Sequence, residues 1–503
     1  MTKRKENIFN GISIDIIGYL ASIFLSFALL PWYFEYISKS EYGIWLVVNG
    51  LVSVISLIDV GVDQYLTKYI ADDKLFYSEK INSFFFEALK VKFLIALLFL
   101  LIGLIIFFTI NYLVRIDDQF QEVAKTSFLI SLITLVLNLF LTTFSNIFFV
   151  RHYYFLVNFS NSIVLILPSL LTLYLLYWDF GIIAFPIAIC IISIFQLIYF
   201  IVKFKLKFPH VTMSSNYFKL SIEKELYIFS KSFIILKWIH LIRTQYVIIV
   251  LNNLLGASYS TRYNITSRLP LLMQTLTSKF ALMLFPSFSE INSSGQVEKL
   301  KGLFLSVNKL LFRISILGGV LLIAFNEKFI SLWLGQYIYL GNLVLFLLLL
   351  HAIIYSSMGF FGIVVFSFQE FGKWTKWCLA EIMLLFIITF CFWERLNLIS
   401  IISLFVFSSL INQSYLFYHV LKLLNVSFKE FANSVLSYSF KSNFSIFIFT
   451  ALSLKYFNID SWKSLIFTIV FLIVSNFLIV DGPKFMNSNS KSLFGRLLDS
   501  FDL

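Results

Sequence analysis

Apolar residues run through this chain in blocks of about twenty, the length a helix needs to cross a hydrocarbon core of ~30 Å at 1.5 Å per residue. Fourteen such blocks are centred at residues 11–33, 43–63, 91–113, 128–149, 156–177, 182–202, 230–251, 264–285, 308–325, 342–366, 376–393, 398–418, 438–457 and 463–480. The blocks are continuously apolar, whereas barrel strands alternate every second residue, so the pattern predicts an all-α integral membrane protein. Those at 264–285 and 438–457 are the weakest, because Arg268, Lys279 and Lys441 interrupt them.

Polar residues inside the blocks recur at helical spacing, which gathers them on one face. Asp15, Tyr19, Ser22, Ser26 and Tyr33 share a sector of the first helix, and Tyr42, Asn49, Ser53, Ser56, Asp63 and Thr67 form a stripe on the second. The fourth helix carries Ser127, Ser131, Asn138, Thr142 and Ser145, and the eighth Thr261, Asn264, Arg268, Thr275 and Lys279. Polar groups are costly in hydrocarbon and turn toward a bundle interior or a watery cavity. Such stripes also serve helix packing, so the pattern leaves both uses open. Asp15, Ser22, Asn49, Ser53, Asn138 and Asn264 are the expected polar lining of a cavity.

The seventh helix is the most unusual, with Lys237, His240 and Arg243 in its middle third. Four central cations, Lys237, Arg243, Arg268 and Lys279, would cost on the order of 10 kcal/mol if they faced lipid. A hydrated cationic cavity is the cheaper arrangement, and salt bridging is the alternative. Glu381 is the one carboxylate deep in the eleventh helix, and with His240 it is a candidate for ion coupling, by H+ or Na+. Pro168, Pro186 and Pro270 interrupt helices where a moving lobe could flex.

The composition agrees with this pattern: 59% of the 503 residues are hydrophobic and only 13% charged. A water-soluble enzyme is excluded. The net charge of +12 is spread over short connections instead of a basic arm, which argues against nucleic acid. With the N-terminus inside, twenty-four Lys and Arg of the connections fall on the cytoplasmic side, and seven fall outside: Lys39, Arg115, Lys125, Lys328, Arg395, Lys455 and Lys463. The positive-inside rule then places both termini in the cytoplasm. The basic start before the first apolar run reads as a retained span and not a cleaved signal. Cys190, Cys378 and Cys391 lie in apolar stretches with no metal-ligand spacing, so neither a disulfide framework, a metal nor a cofactor is expected. The organisation expected is an N-terminal lobe of six helices (1–202), a cytoplasmic linker (203–229), a second six-helix lobe (230–420) related to the first by a pseudo-two-fold axis, and two further helices with a cytoplasmic tail (421–503). In transporters built from parallel repeats, the substrate site lies between the halves.

The segment Leu30-Pro31 through Ser40-Glu41-Tyr42-Gly43-Ile44-Trp45, then Ile58-Asp59-Val60-Gly61-Val62 and Tyr69-Ile70-Ala71, resembles the opening of the Wzx-type polysaccharide-unit flippases. These belong to the multidrug/oligosaccharidyl-lipid/polysaccharide exporter superfamily. A second match runs from Gly256 through Tyr263 and Arg268 to Phe285-Pro286. The resemblance implies a bacterial inner-membrane flippase that carries undecaprenyl-pyrophosphate-linked oligosaccharide units to the outer leaflet by alternating access. The cations Lys237, Arg243, Arg268 and Lys279 would bind its head group. Its partners would be the lipid-linked glycan, the bilayer, a coupling ion and other glycan-assembly proteins. Two departures stand out: Gln245 occupies a place where the family often has Asp, and fourteen spans resemble the lipid II flippase branch, where the last two helices help to form a groove for the lipid tail. Lipid II flipping, a multidrug exporter and a membrane polymerase or glycosyltransferase are the rival functions. The exporter predicts an acidic cavity, and the enzyme needs a larger outer loop than this chain has.

Overall fold

The computed structural model describes residues 2–58, 62–71, 73–78, 80–211, 224–368, 370–457 and 459–480. Its helices, in chain order, are α1 (Thr2–Ala28), α2 (Leu30–Tyr36), α3 (Lys39–Ile55), α4 (Val62–Ala71), α5 (Asp73–Phe76), α6 (Lys80–Leu113), α7 (Gln121–Val150), α8 (Tyr154–Tyr177), α9 (Ala184–Lys207), α10 (Lys224–Leu255), α11 (Ala257–Met283), α12 (Phe285–Ser293), α13 (Val297–Leu334), α14 (Asn342–Ser367), α15 (Phe371–Cys391), α16 (Leu398–Leu423), α17 (Phe428–Phe431), α18 (Tyr438–Ser442), α19 (Phe444–Tyr456) and α20 (Trp462–Val480). No strand occurs among the described residues. Within the described residues the fourteen apolar blocks fall largely on helices, and residues 59–61 of the second block lie outside them.

Nine helices among the described residues are long and apolar enough to cross a membrane, and the bent pair α1–α2 makes a tenth. This is a multi-pass membrane protein. The pair bends by 41° just before Pro31, which sits in the first turn of α2 where its missing N–H costs nothing. The remaining blocks fall short for identifiable reasons. In α10 and α11 the cations lower the hydropathy, while α3 has 17 residues and α19 only 13. Helices α6 and α13 are the reverse, with 34 and 38 residues. At 1.5 Å per residue they are over ~50 Å long and outreach the hydrocarbon layer.

The chain forms two compact units, Met1–Thr261 and Arg262–Leu503. In the first, α6, α7 and α9 share an aromatic core: Phe85 stacks on Phe204 with ring centroids 5.1 Å apart, and Phe144 meets Phe204 edge-on at 5.4 Å. Each such pair adds about 0.5–1.5 kcal/mol beyond its area. Helices α1 and α8 pack through small residues. A Cβ at Gly18 would lie 2.1 Å from Ser162 Oγ, and that hydroxyl donates to the carbonyl of Asn158 at 2.9 Å.

The start of α3 is fixed by a reciprocal cap, in which Glu41 N–H donates to Ser38 Oγ (3.2 Å) and Ser38 N–H to Glu41 Oε2 (2.8 Å). Behind it, Gly43 lets the first turn of α11 approach, since a Cβ there would sit 2.0 Å from the carbonyl oxygen of Ala257. Thr261 Oγ1 completes the contact by donating to the carbonyl of Lys39 at 2.6 Å. Trp45 stacks on Phe185 of α9 at 5.3 Å. The Glu-Tyr-Gly-x-Trp segment therefore has a packing function throughout.

The second unit is built on α13, α14 and α16 around Phe304, Phe360, Phe361 and Phe431. Ser315 and Ser356 hydrogen-bond between α13 and α14 at 2.6 Å. Helices α19 and α20 pack on α13 through Phe325, Ile446, Leu465 and Leu472. Asn476 Nδ2 donates to the carbonyl of Ser442 (3.2 Å) and to Ser445 Oγ (3.0 Å), which holds α20 in register.

Candidate functional site: an uncharged polar chamber in the first unit

Helical spacing brings two of the polar stripes together. On α3, Asn49 and Ser53, one turn apart, lead to Ser56 in the short 3-10 turn that follows; on α7, Ser131, Thr134 and Asn138 recur at intervals of three and four. Because α3 packs on α7 and meets α9 through the Trp45–Phe185 stack, these side chains line one cavity of about 180 Å³ with Trp45, Val52, Leu135, Pro186 and Ile189. That volume is about six waters' share of the liquid. It is smaller than the ~300–1,000 Å³ of typical ligand cavities, so the chamber in this state admits part of a large ligand and not the whole.

The chamber's hydrogen bonding is specific. Ser53 Oγ donates to the carbonyl of Asn49 (2.8 Å), Ser56 Oγ to that of Ser53 (2.6 Å) and Thr134 Oγ1 to that of Ile130 (2.8 Å). Their protons are engaged within their own helices, and their lone pairs are left to accept. Asn49 and Asn138 supply amide donors and acceptors. Ser131 Oγ is buried with no hydrogen-bond partner among the described residues, which leaves it to a water or a ligand hydroxyl. No charged side chain is among the described residues that line the cavity. Such a wall suits a neutral polyhydroxylated group and offers no counter-charge to a cation.

Beside the chamber, one turn further along α7, lies a polar knot. Lys92 of α6 is fully buried, and its Nζ donates to Asp63 Oδ1 (2.7 Å), the carbonyl of Leu139 (2.8 Å) and Thr142 Oγ1 (2.8 Å). Asn146 Nδ2 donates to the carbonyl of Asp63 (3.0 Å) and to Thr67 Oγ1 (2.9 Å), so α4, α6 and α7 are joined at one point. Sequence reasoning singled out Asp63 and Thr142 as stripe members but passed over Lys92. Its signal was the position of a lysine at the very start of an apolar run, on a helix that begins at Lys80.

The other predicted residues lie on α1, α10, α11 and α15. Asp15 and Ser22 are half-buried on α1 and do not line the chamber; Ser22 Oγ donates to its own helix, to the carbonyl of Tyr19 at 2.8 Å. On α10, Arg243 is only 6% exposed while His240 is exposed, and the side chain of Lys237 lies outside the described residues. In the second unit Lys279 is half-buried, and the guanidinium of Arg268 lies over the Trp333 ring at 5.6 Å, a cation–π contact. Asn264 Oδ1 is buried without a hydrogen-bond partner among the described residues. Glu381 is 3% exposed on α15, one turn from Cys378, whose thiol donates to Asn412 Oδ1 at 3.5 Å.

This helical architecture is the fold of the multidrug/oligosaccharidyl-lipid/polysaccharide transporters, as the structural neighbours show. The lipid II flippase MurJ, in a structure described as inward closed, superposes with a TM-score of 0.66 at 15% identity, over 95% of this chain and 100% of that one. An inward-facing multidrug resistance MATE transporter of the same superfamily gives 0.58 at 13%, over 83% and 98%. A superfamily transporter from Pyrococcus furiosus, described as having a binding pocket of reversed polarity, gives 0.51 at 14%, over 84% and 95%. No family model matches the sequence, and no curated protein matches it. All these neighbours are transporters or flippases and none is described as an enzyme.

Proposed function

We propose that the chain is a flippase that moves undecaprenyl-pyrophosphate-linked oligosaccharide units from the cytoplasmic to the outer leaflet of a bacterial inner membrane by alternating access. The observation that carries this reading is the chamber itself, a cluster of Asn, Ser and Thr side chains without a charge, inside a membrane bundle of transporter fold. Sugar hydroxyls need paired donors and acceptors when they leave water, and the two carboxamides with the serine and threonine lone pairs provide them. An exporter of cationic drugs would be served by a carboxylate on that wall, and none is among the described residues lining it.

The pyrophosphate needs positive partners away from bulk water. Lys237, Arg243, Arg268 and Lys279 are the candidates, with Glu381 and His240 for coupling to H+ or Na+. Deleting the gene tests the assignment: unpolymerised lipid-linked repeat units should accumulate on the cytoplasmic face. Complementation with the double variant N49A/N138A, present as folded protein, should leave them stranded there. Full rescue by that variant would remove the chamber from the transport path.

A second reading is lipid II flipping, favoured by the similarity to MurJ along almost the whole chain and by the packing of α19 and α20 on α13. Growth arrest with accumulated lipid II on deletion would select it.

A further inference from the structure

We propose that the knot at Lys92 is a monovalent-cation site occupied by the protein's own ammonium group, so that this part of the first unit carries its cation covalently. Three features lead to this. The Nζ atom has three protons and no lone pair when charged, and each proton has an oxygen to meet: a carboxylate, a main-chain carbonyl and a hydroxyl, at 2.7, 2.8 and 2.8 Å. Carboxylate, carbonyl and hydroxyl oxygens are also what a hard metal cation takes from a protein. The oxygens come from α4 and α7 while the nitrogen comes from α6, so the positive centre sits where three helices converge, as a bound ion would.

The surroundings distinguish this from an ordinary surface pair. Lys92 is fully buried, whereas a lysine on a membrane helix usually extends toward water. Burying an ion recovers its desolvation cost only with further hydrogen bonds, and the ammonium has two of them while the Asp63 carboxylate keeps 20% of its surface exposed. The carbonyl of Asp63 is held by Thr67 Oγ1 at 2.7 Å as well as by Asn146. The main chain that carries the Asp63 side chain is therefore held whether or not the lysine is there. Removing the ammonium would leave a negative, oxygen-lined hole of the size of the lost group.

The consequence for transport is that no inorganic cation is needed at this place. Any dependence of the working protein on Na+ arises elsewhere. The site reading does not rest on the proposed substrate, and its test needs none.

The test compares full-length wild type, K92A and the double variant D63N/K92A in detergent. Thermal unfolding is followed by tryptophan fluorescence in NaCl and in choline chloride at equal ionic strength. The expected result is that NaCl raises the melting temperature of K92A by about 2 °C or more beyond its effect on wild type, and that the extra rise disappears in D63N/K92A. A folded K92A with no extra response to Na+ overturns the proposal. So does a K92A that fails to fold in both salts while D63N/K92A folds, because the vacated site would then be an unpaired, part-buried carboxylate that Na+ cannot fill.

Discussion

Ser131 Oγ faces the chamber buried and without a hydrogen-bond partner among the described residues, so its replacement separates packing from function. In S131A the fold should be as stable as wild type or slightly more so, since an unsatisfied group is removed. Glycan export should fall nonetheless if a sugar hydroxyl meets that oxygen. The two readouts are thermal unfolding and accumulation of lipid-linked units. Glycines give a second contrast. G43A would push a methyl group against the backbone of Ala257 and should cost about 1–3 kcal/mol. G302A, within α13 and with open space at the Cβ position, should gain about 0.5–1 kcal/mol from helix propensity. At this scale the sequence was partly legible. Helical spacing was enough to group Asn49, Ser53 and Asn138, because both their helices are regular. It could not separate them from Ser22, since a serine facing its own carbonyl and one facing a cavity have the same periodicity. Lys92 was hidden because hydropathy cannot tell a lysine at the membrane edge from one turned inward to a carboxylate.

The helices themselves were the most legible feature, because the hydrocarbon thickness fixes their length and leaves little choice of structure. Breaks within them were less so. The α1–α2 bend at Pro31 and the 3-10 turn after α3 depend on neighbouring packing. Element ends are now specific enough to test. Replacing Ser38 by Ala removes the acceptor for Glu41 N–H and should lower stability by about 0.5–2 kcal/mol, read from thermal unfolding. N397A should have a similar effect at α16, where Ser400 N–H donates to Asn397 Oδ1 at 2.9 Å. In α20, N476A removes two hydrogen bonds to the segment before it. A loss of about 0.6–1.7 kcal/mol is expected, the range for polar contacts between membrane helices.

For the whole molecule, the charge pattern makes a topological prediction. A phosphatase fused after residue 480 should be inactive and a fluorescent protein fused there bright, whereas a phosphatase inserted beside Arg115 should be active. Opposite results would invert the direction of transport proposed above. The two compact units, Met1–Thr261 and Arg262–Leu503, also assign α10 a partner: it packs with α3, and Gly50 leaves only 2.9 Å between a would-be Cβ and Gln245 Oε1. The amide of Gln245 is thus fitted to a glycine.

A wall that bears no charge cannot sort its visitors by ionisation. On the proposed function, the chamber would discriminate stereochemistry, favouring one epimer of a sugar over another through the direction of its hydroxyls, and it would be indifferent to salt. Placing a single carboxylate there, as in N138D, should trade that preference for an affinity toward amines, turning a selector of shape into a selector of sign.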